Sequence, residues 1–169
     1  MKKLLLGILA MSMFCTACKK DKEDESGIDK SQIVGNWKVT NVTSAITLNG
    51  IAIPTTLFDV DELVSTFVEK DQVFEFKDNG DLKVDIGGGD YNQFTYKTEG
   101  KYIVVSDPAH PSGSFKYAAS VNGSVLTLTL EQADIQALVA GYIQYLENLP
   151  VTIETGKVGG KIDITLTKQ

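Results

Sequence analysis

The chain predicts an all-β domain, an eight-stranded antiparallel up-and-down barrel with two helices. Three observations carry that prediction: short runs that alternate apolar and polar residues, glycine-bearing turns between them, and two segments whose apolar period switches to 3.6. Eight runs follow the period of two: "GNWKVTNV" (35–42), "QVFEFK" (72–77), "DLKVDI" (81–86), "QFTYK" (93–97), "KYIVV" (101–105), "SFKYAAS" (114–120), "VLTLTL" (125–130) and "KIDITLT" (161–167). In "DLKVDI", Leu82, Val84 and Ile86 share one face and Asp81, Lys83 and Asp85 the other. A strand built this way buries one side and wets the other.

The connections follow from turn chemistry. "DNG" (78–80), "GGGD" (87–90), "TEG" (98–100) and "VNG" (121–123) supply the Gly and Asn that hairpin turns need. A further hairpin, "AITLNGIAI" with Asn49-Gly50 at its tip, extends the first strand. The period becomes helical over about 59–69, where Asp59 caps, Glu62 completes a capping box, and Val60, Leu63, Val64, Phe67 and Val68 form a stripe. It does so again over about 134–148, with Ile135, Leu138, Val139 and Tyr142 at helical spacing and Pro150 beyond the end. Each helix has one apolar side and must lie on the sheet or plug its end. "VTIET", after Pro150, is ambiguous.

Eight short antiparallel strands leave two edges unless the sheet closes on itself, and an even number lets the last strand pair antiparallel with the first. A barrel of eight either fills with side chains or holds one small ligand. A two-sheet sandwich is the rival arrangement. Strands of about 6 residues are shorter than the roughly 9–11 of an outer-membrane barrel, and these carry Lys, Asp, Glu and Thr outside.

The amino end reads differently. Met1-Lys2-Lys3, an apolar stretch from Leu4 to Met13 and a small residue before Cys18 form the layout of a secretory signal peptide over residues 1–17. Cys15-Thr16-Ala17-Cys18 resembles the lipobox of bacterial lipoproteins, with Cys15 where Leu is usual. That resemblance implies cleavage before Cys18, a diacylglycerol anchor on its thiol and a membrane as partner. The C-x-x-C spacing has neither the βαβ context of a redox pair nor the extra ligands of a zinc site. Residues 18–32 then read as the lipidated Cys and a charged tether, "KKDKEDESGIDKSQ", reaching about 20 Å as a flexible coil.

Cleavage would remove Lys2 and Lys3 and take the net charge from −6 to −8. Every basic residue is Lys, so bidentate Arg recognition of phosphate is missing, and an acidic surface repels nucleic acid. No nucleic-acid partner and no cofactor is expected.

Residues within the domain also carry a resemblance. "IVGNWKVT" resembles the Gly-x-Trp opening of lipocalins, here Gly35 and Trp37. The order of seven hairpin-linked strands, a helix and a last strand is similar too. The closer likeness is to the lipocalin-like lipoproteins of Bacteroidetes, in which a lipobox and acidic tether precede Gly-x-Trp, an "F-x-F-x-x-x-G" hairpin (Phe74, Phe76, Gly80) and a "G-x-Y" strand (Gly100, Tyr102). The likeness runs from Ile33 to the end of the chain. It implies a lipocalin-like barrel over 33–169 that binds a small ligand. In that type of lipoprotein an acidic cluster such as Asp21, Glu23, Asp24 and Glu25 is an export signal to the cell surface, whereas the same cluster is also an ordinary solvated spacer. The expected place is therefore the outer membrane, with surface and periplasmic faces both open. Lipocalins stack a late-strand Arg on the Trp; this chain has no Arg, so either Lys161 or Lys168 substitutes or the closure differs.

By alternation Trp37, Phe74, Phe76, Tyr96, Tyr102, Phe115 and Tyr117 point inward, with Phe67 as a lid. They either fill the barrel as an ordinary core or line a cup for an apolar or amphipathic ligand. Catalysis is not expected. The one histidine, His110, sits in the Pro-flanked loop "DPAHPSG", Lys83 separates Asp81 from Asp85, and "GGGD" is no phosphate cradle. Two functions of different class remain: a lipid-anchored barrel with a cavity of about 300 Å³ or more, or a filled barrel acting as a protein or glycan interaction module, whose protein partner the sequence does not name.

Overall fold

The computed structural model describes residues 27–53, 59–109, 113–143 and 154–169. The signal-peptide, lipobox and acidic-cluster segments, His110 and residues 144–150 lie outside these. Among the described residues are nine strands: β1 (Gly35–Leu48), β2 (Ile51–Ala52), β3 (Val73–Phe76), β4 (Asp81–Gly87), β5 (Asp90–Glu99), β6 (Tyr102–Ser106), β7 (Ser114–Asn122), β8 (Val125–Leu130) and β9 (Val158–Lys168). Three short helices join them: α1 (Lys30–Ile33), α2 (Val60–Ser65) and α3 (Gln132–Ile143). From β3 to β9 each strand pairs antiparallel with the next, and β1 pairs with both β3 and β9. The sheet is thus a closed up-and-down barrel of eight strands, with β2 a two-residue arm on β1.

β1 is one continuous strand of 14 residues, so the Asn49-Gly50 hairpin extends it as expected. Asn49 (φ 54°) and Gly50 (φ 77°) take the left-handed conformations that a type I′ turn requires. The strand changes phase at a bulge between Val39 and Asn41. Before it Trp37 and Val39 are buried; after it Val42, Ser44, Ile46 and Leu48 are the better covered residues. One extra residue resets the alternation and lets a long strand keep its apolar side inward through a bend.

α1 was not anticipated. Its box is complete, with the Asp29 carboxylate accepting from the Ser31 amide at 2.8 Å and the Gln32 side chain accepting from the Asp29 amide at 3.1 Å. The D-x-x-Q signal stands in the sequence but is masked by the charged run around it. The folded body consequently begins at Ile28, whose amide donates to Gly100 O at 2.7 Å, so residues 28–32 of the expected tether belong to the domain. Ile33 is fully buried.

The other helices differ from expectation at their ends. Asp59 caps α2 by accepting from the Asp61 and Glu62 amides, but the helix stops at Ser65 and gives way to turns. Ser65 and Thr66 turn their hydroxyls back on the Glu62 and Leu63 carbonyls, the local competition that weakens Ser- and Thr-rich helix ends. α3 starts two residues early, at Gln132, and buries Ile135, Leu138 and Val139. Its expected end falls outside the described residues. "VTIET" gives no strand at its described end, where Thr155–Lys157 is a 3₁₀ turn.

β9 begins at Val158, three residues before the expected start, because Gly159 and Gly160 let it run close beside β1. Gly160 has φ +115°, and a Cβ there would lie 1.9 Å from Ala45 O. Gly160→Ala is expected to destabilise the domain by about 1–3 kcal/mol through backbone strain. A urea midpoint within error of the parent would contradict this contact.

Candidate functional site

The two ends of the barrel are chemically different. One carries α1, the turns after β3, β5 and β7, and the end of β9; the other carries α2, α3 and the turns after β1, β4 and β6. At the α1 end the interior is filled by Ile33, Trp37, Val39, Tyr96, Ile103, Leu126 and Leu166, all buried. Trp37 Nε1 donates to Ile33 O at 2.6 Å, tying the strand to the helix that closes this end. Lys168 Nζ sits 5.3 Å from the Trp37 ring centroid, in the place that the resemblance assigned to a late-strand cation. Lys161 instead pairs with Asp163 at 2.6 Å. Tyr96 donates its hydroxyl to Lys77 O at 2.7 Å and meets Phe76 edge to face at 5.1 Å. Burial, with Asp78 nearby, raises its pKa.

Toward the α2 and α3 end the barrel is hollow. A cavity of about 720 Å³ lies above Phe76, Leu82, Tyr117, Leu128 and Ile164. Phe74, Val84, Phe94, Val105, Phe115, Leu130 and Ile162 form its wall, and Leu138 of α3 contributes to it. The alternation explains the set: Phe74 pairs with Val84, Val105 with Phe115 and Leu130 with Ile162, and directly opposed residues share a face. The mouth is framed by residues 65–72, the end of α2 and the turns that follow it, by Asp85, Ile86, Gly87 and Asn92, and by Asp107 and Gly113. Phe67 and Ile86 stand at this mouth about half exposed, 49% and 52%. Lys38 and Asp71, 2.7 Å apart, fasten the loop after α2 to β1, and the lysine holds the Asp71 carboxyl below its ordinary pKa.

Of the eight aromatic residues expected inside, the cavity gathers five: Phe67 at its mouth and Phe74, Phe76, Phe115 and Tyr117 in its wall and floor. Trp37 and Tyr96 point inward but belong to the filled half. Tyr102 is a correction. It pairs with Ala118, on the outward set of β7, and its ring lies under Lys116 at 4.1 Å and Lys101 at 5.4 Å. It opens β6 one residue before the inward pair Ile103 and Val105, which the alternation of "KYIVV" leaves ambiguous because four of its five residues are apolar. Phe94 was missed although it alternates with Tyr96, and the aliphatic wall was passed over because only aromatic side chains were weighed.

The polar groups sort by depth. At the mouth, Asp85 accepts from the Gly87 amide at 2.7 Å and Gln72 accepts from the Glu69 amide at 3.3 Å. At the floor stands Tyr117, enclosed by protein while its hydroxyl opens onto the cavity without a hydrogen-bond partner among the described residues. Burial raises its pKa well above the usual phenol range, and the Asp134 carboxylate of α3 adds to this. Burial likewise raises Asp134, which accepts from the Lys116 amide at 3.3 Å.

A pH dependence follows. An unfolded tyrosine ionises near pH 10, about where the folded Tyr117 still holds its proton. The group's contribution is thus intact below pH 10 and is lost as pH rises beyond it, by up to about 1.4 kcal/mol per pH unit. Between pH 9 and 11, Tyr117→Phe is expected to lose less stability than the parent in urea titrations; parallel losses would contradict the buried phenol.

Among the described residues no cluster of three or more His, Cys, Asp or Glu side chains could hold a metal ion. Compared with protein-family models, with curated proteins and with solved structures, the chain matches none.

Proposed function

We propose that the protein is a lipid-anchored lipoprotein of the cell envelope, held to the outer membrane through Cys18, whose barrel binds a small apolar or amphipathic molecule without catalysing its conversion. The observation that carries the reading is the cavity of about 720 Å³, lined mainly by aliphatic and aromatic side chains and within the range of about 300–1,000 Å³ of small-molecule sites. A barrel built only as a platform has no need of a hollow half. Packing such a volume with side chains would stabilise it at about 25 cal/mol per Å² of apolar surface removed from water. Phe67 and Ile86 offer an apolar threshold between the charged side chains of the mouth, Glu69, Lys70, Asp71 and Asp85 among them.

The interaction-module reading started from a filled barrel and an apolar platform outside. Among the described residues, the exposed large apolar ones beyond the mouth, Ile51, Tyr91 and Val125, lie on β2, β5 and β8. Tyr91 is covered in part by Lys83, 5.7 Å from its ring centroid. This favours the pocket.

The test is native mass spectrometry of the protein released from its own envelope, compared with the chain from Cys18 onward purified without the anchor. A small apolar molecule is expected on the former, together with a diacylglyceryl mass on Cys18 that Cys18→Ser abolishes. An unmodified Cys18 would overturn the anchor. Failure of both forms to take up any apolar molecule on loading would overturn the pocket. Protease shaving of intact cells assigns the face of the membrane.

A further inference from the structure

Resting on the reading of the cavity as a ligand site, we infer that its ligand carries an uncharged hydrogen-bonding head, a hydroxyl or carbonyl on an apolar chain, that seats against the Tyr117 hydroxyl on the cavity floor. The chain then runs up between Phe74 and Phe115 and leaves past Phe67 and Ile86.

Tyr117 is the one polar side chain of the floor, where its neighbours are Phe76, Leu128 and Ile164. A phenol in such surroundings gains from a partner, and among the described residues the protein gives it none. A head group that accepts or donates one hydrogen bond completes the site.

The charge of that head is constrained from two sides. An anion would need a cation at the floor, and Lys70, the single basic residue among the described lining residues, belongs to the mouth. The chain has no Arg at all. The Asp134 carboxylate lies close enough to disfavour ionisation of Tyr117 and would repel an anionic head in the same way. A cation would be attracted by that same carboxylate, but Asp134 is not a lining residue and is engaged by the Lys116 amide, so an ammonium would shed its hydration at the floor with no direct ion contact to offset the cost. The acids at the mouth, Glu69, Asp71, Asp85 and Asp107, further disfavour passage of an anion.

The experiment uses the chain from Cys18 onward, without its anchor, and displacement of N-phenyl-1-naphthylamine, a neutral fluorescent apolar probe, at pH 7.5. The competitors are dodecanol, dodecanoate and dodecylamine, which share a chain and differ in the head. Dodecanol is expected to displace the probe at concentrations at least tenfold lower than either ion. In Tyr117→Phe, checked for folding by circular dichroism and with its own probe affinity measured, the alcohol is expected to weaken by about threefold to tenfold, the worth of one hydrogen bond, while dodecanoate does not weaken. Equal or tighter binding of either ion, or an alcohol indifferent to Tyr117→Phe, overturns the inference and leaves the pocket standing. A parent chain that takes up no probe overturns both.

Discussion

Trp37→Ala is expected to lower the stability of the domain by about 3–5 kcal/mol, the cost of deleting a large buried aromatic side chain that its surroundings cannot collapse around. The indole is fully buried in the filled half of the barrel. Its removal leaves a hole where β1, β9 and α1 meet and strands Ile33 O, which now accepts from Nε1 at 2.6 Å. The cation above the ring, Lys168, loses its seat as well. Native domains are stable by only about 5–15 kcal/mol, so the variant should melt far below the parent. Trp37→Phe, which restores most of the volume but not the hydrogen bond, should recover roughly half of the loss. Trp37 is the only tryptophan, so both variants are followed by far-ultraviolet circular dichroism in urea. Unfolding midpoints within a few tenths of a molar of the parent would mean that this end is not closed as described.

The second large effect concerns the hollow half. Replacing Val84 and Val105 together by tryptophan should weaken binding of a neutral apolar probe by tenfold or more, because both side chains belong to the cavity wall and two indoles take up the space the probe needs. Forced into a close-packed core, such enlargements cost about 1–3 kcal/mol each, and sometimes more. Here they project into open volume, and the double variant should stay within about 2 kcal/mol of the parent. The paired outcome, lost binding with kept stability, separates a cavity from a core. A double variant that fails to fold, while Val84→Phe alone already melts far lower, would point to a filled interior.

Much of this architecture is legible in the chain. The barrel follows from alternation and turn chemistry because both act over a few residues: Leu82, Val84 and Ile86 announce their face without reference to anything distant, and Asn49-Gly50 dictates its own turn. For the cation beside Trp37 the resemblance left Lys161, Lys168 or a different closure open; register sets Lys168 opposite Trp37. What sequence reasoning could not supply was depth along the barrel axis. Trp37, Tyr96, Phe115 and Tyr117 all point inward, yet two sit in the filled half and two border the cavity. That division depends on how far α1 plugs one end and how α2 and α3 bridge the other. Tyr102 was misplaced because an almost wholly apolar run carries no phase. α1 went unseen because its capping box is written in the same polar residues as the tether that precedes it.

Open, apolar volume in the upper half of the barrel is the central feature of this protein, and xenon reports on that volume without any assumption about the natural ligand. A cavity lined by aliphatic and aromatic side chains takes up the gas readily. Crystals of the domain pressurised with xenon should show anomalous density among Phe74, Phe115 and Leu128, above the Tyr117 ring. Intact, diffracting crystals with no xenon in that region, and side chains meeting across it, would contradict the account.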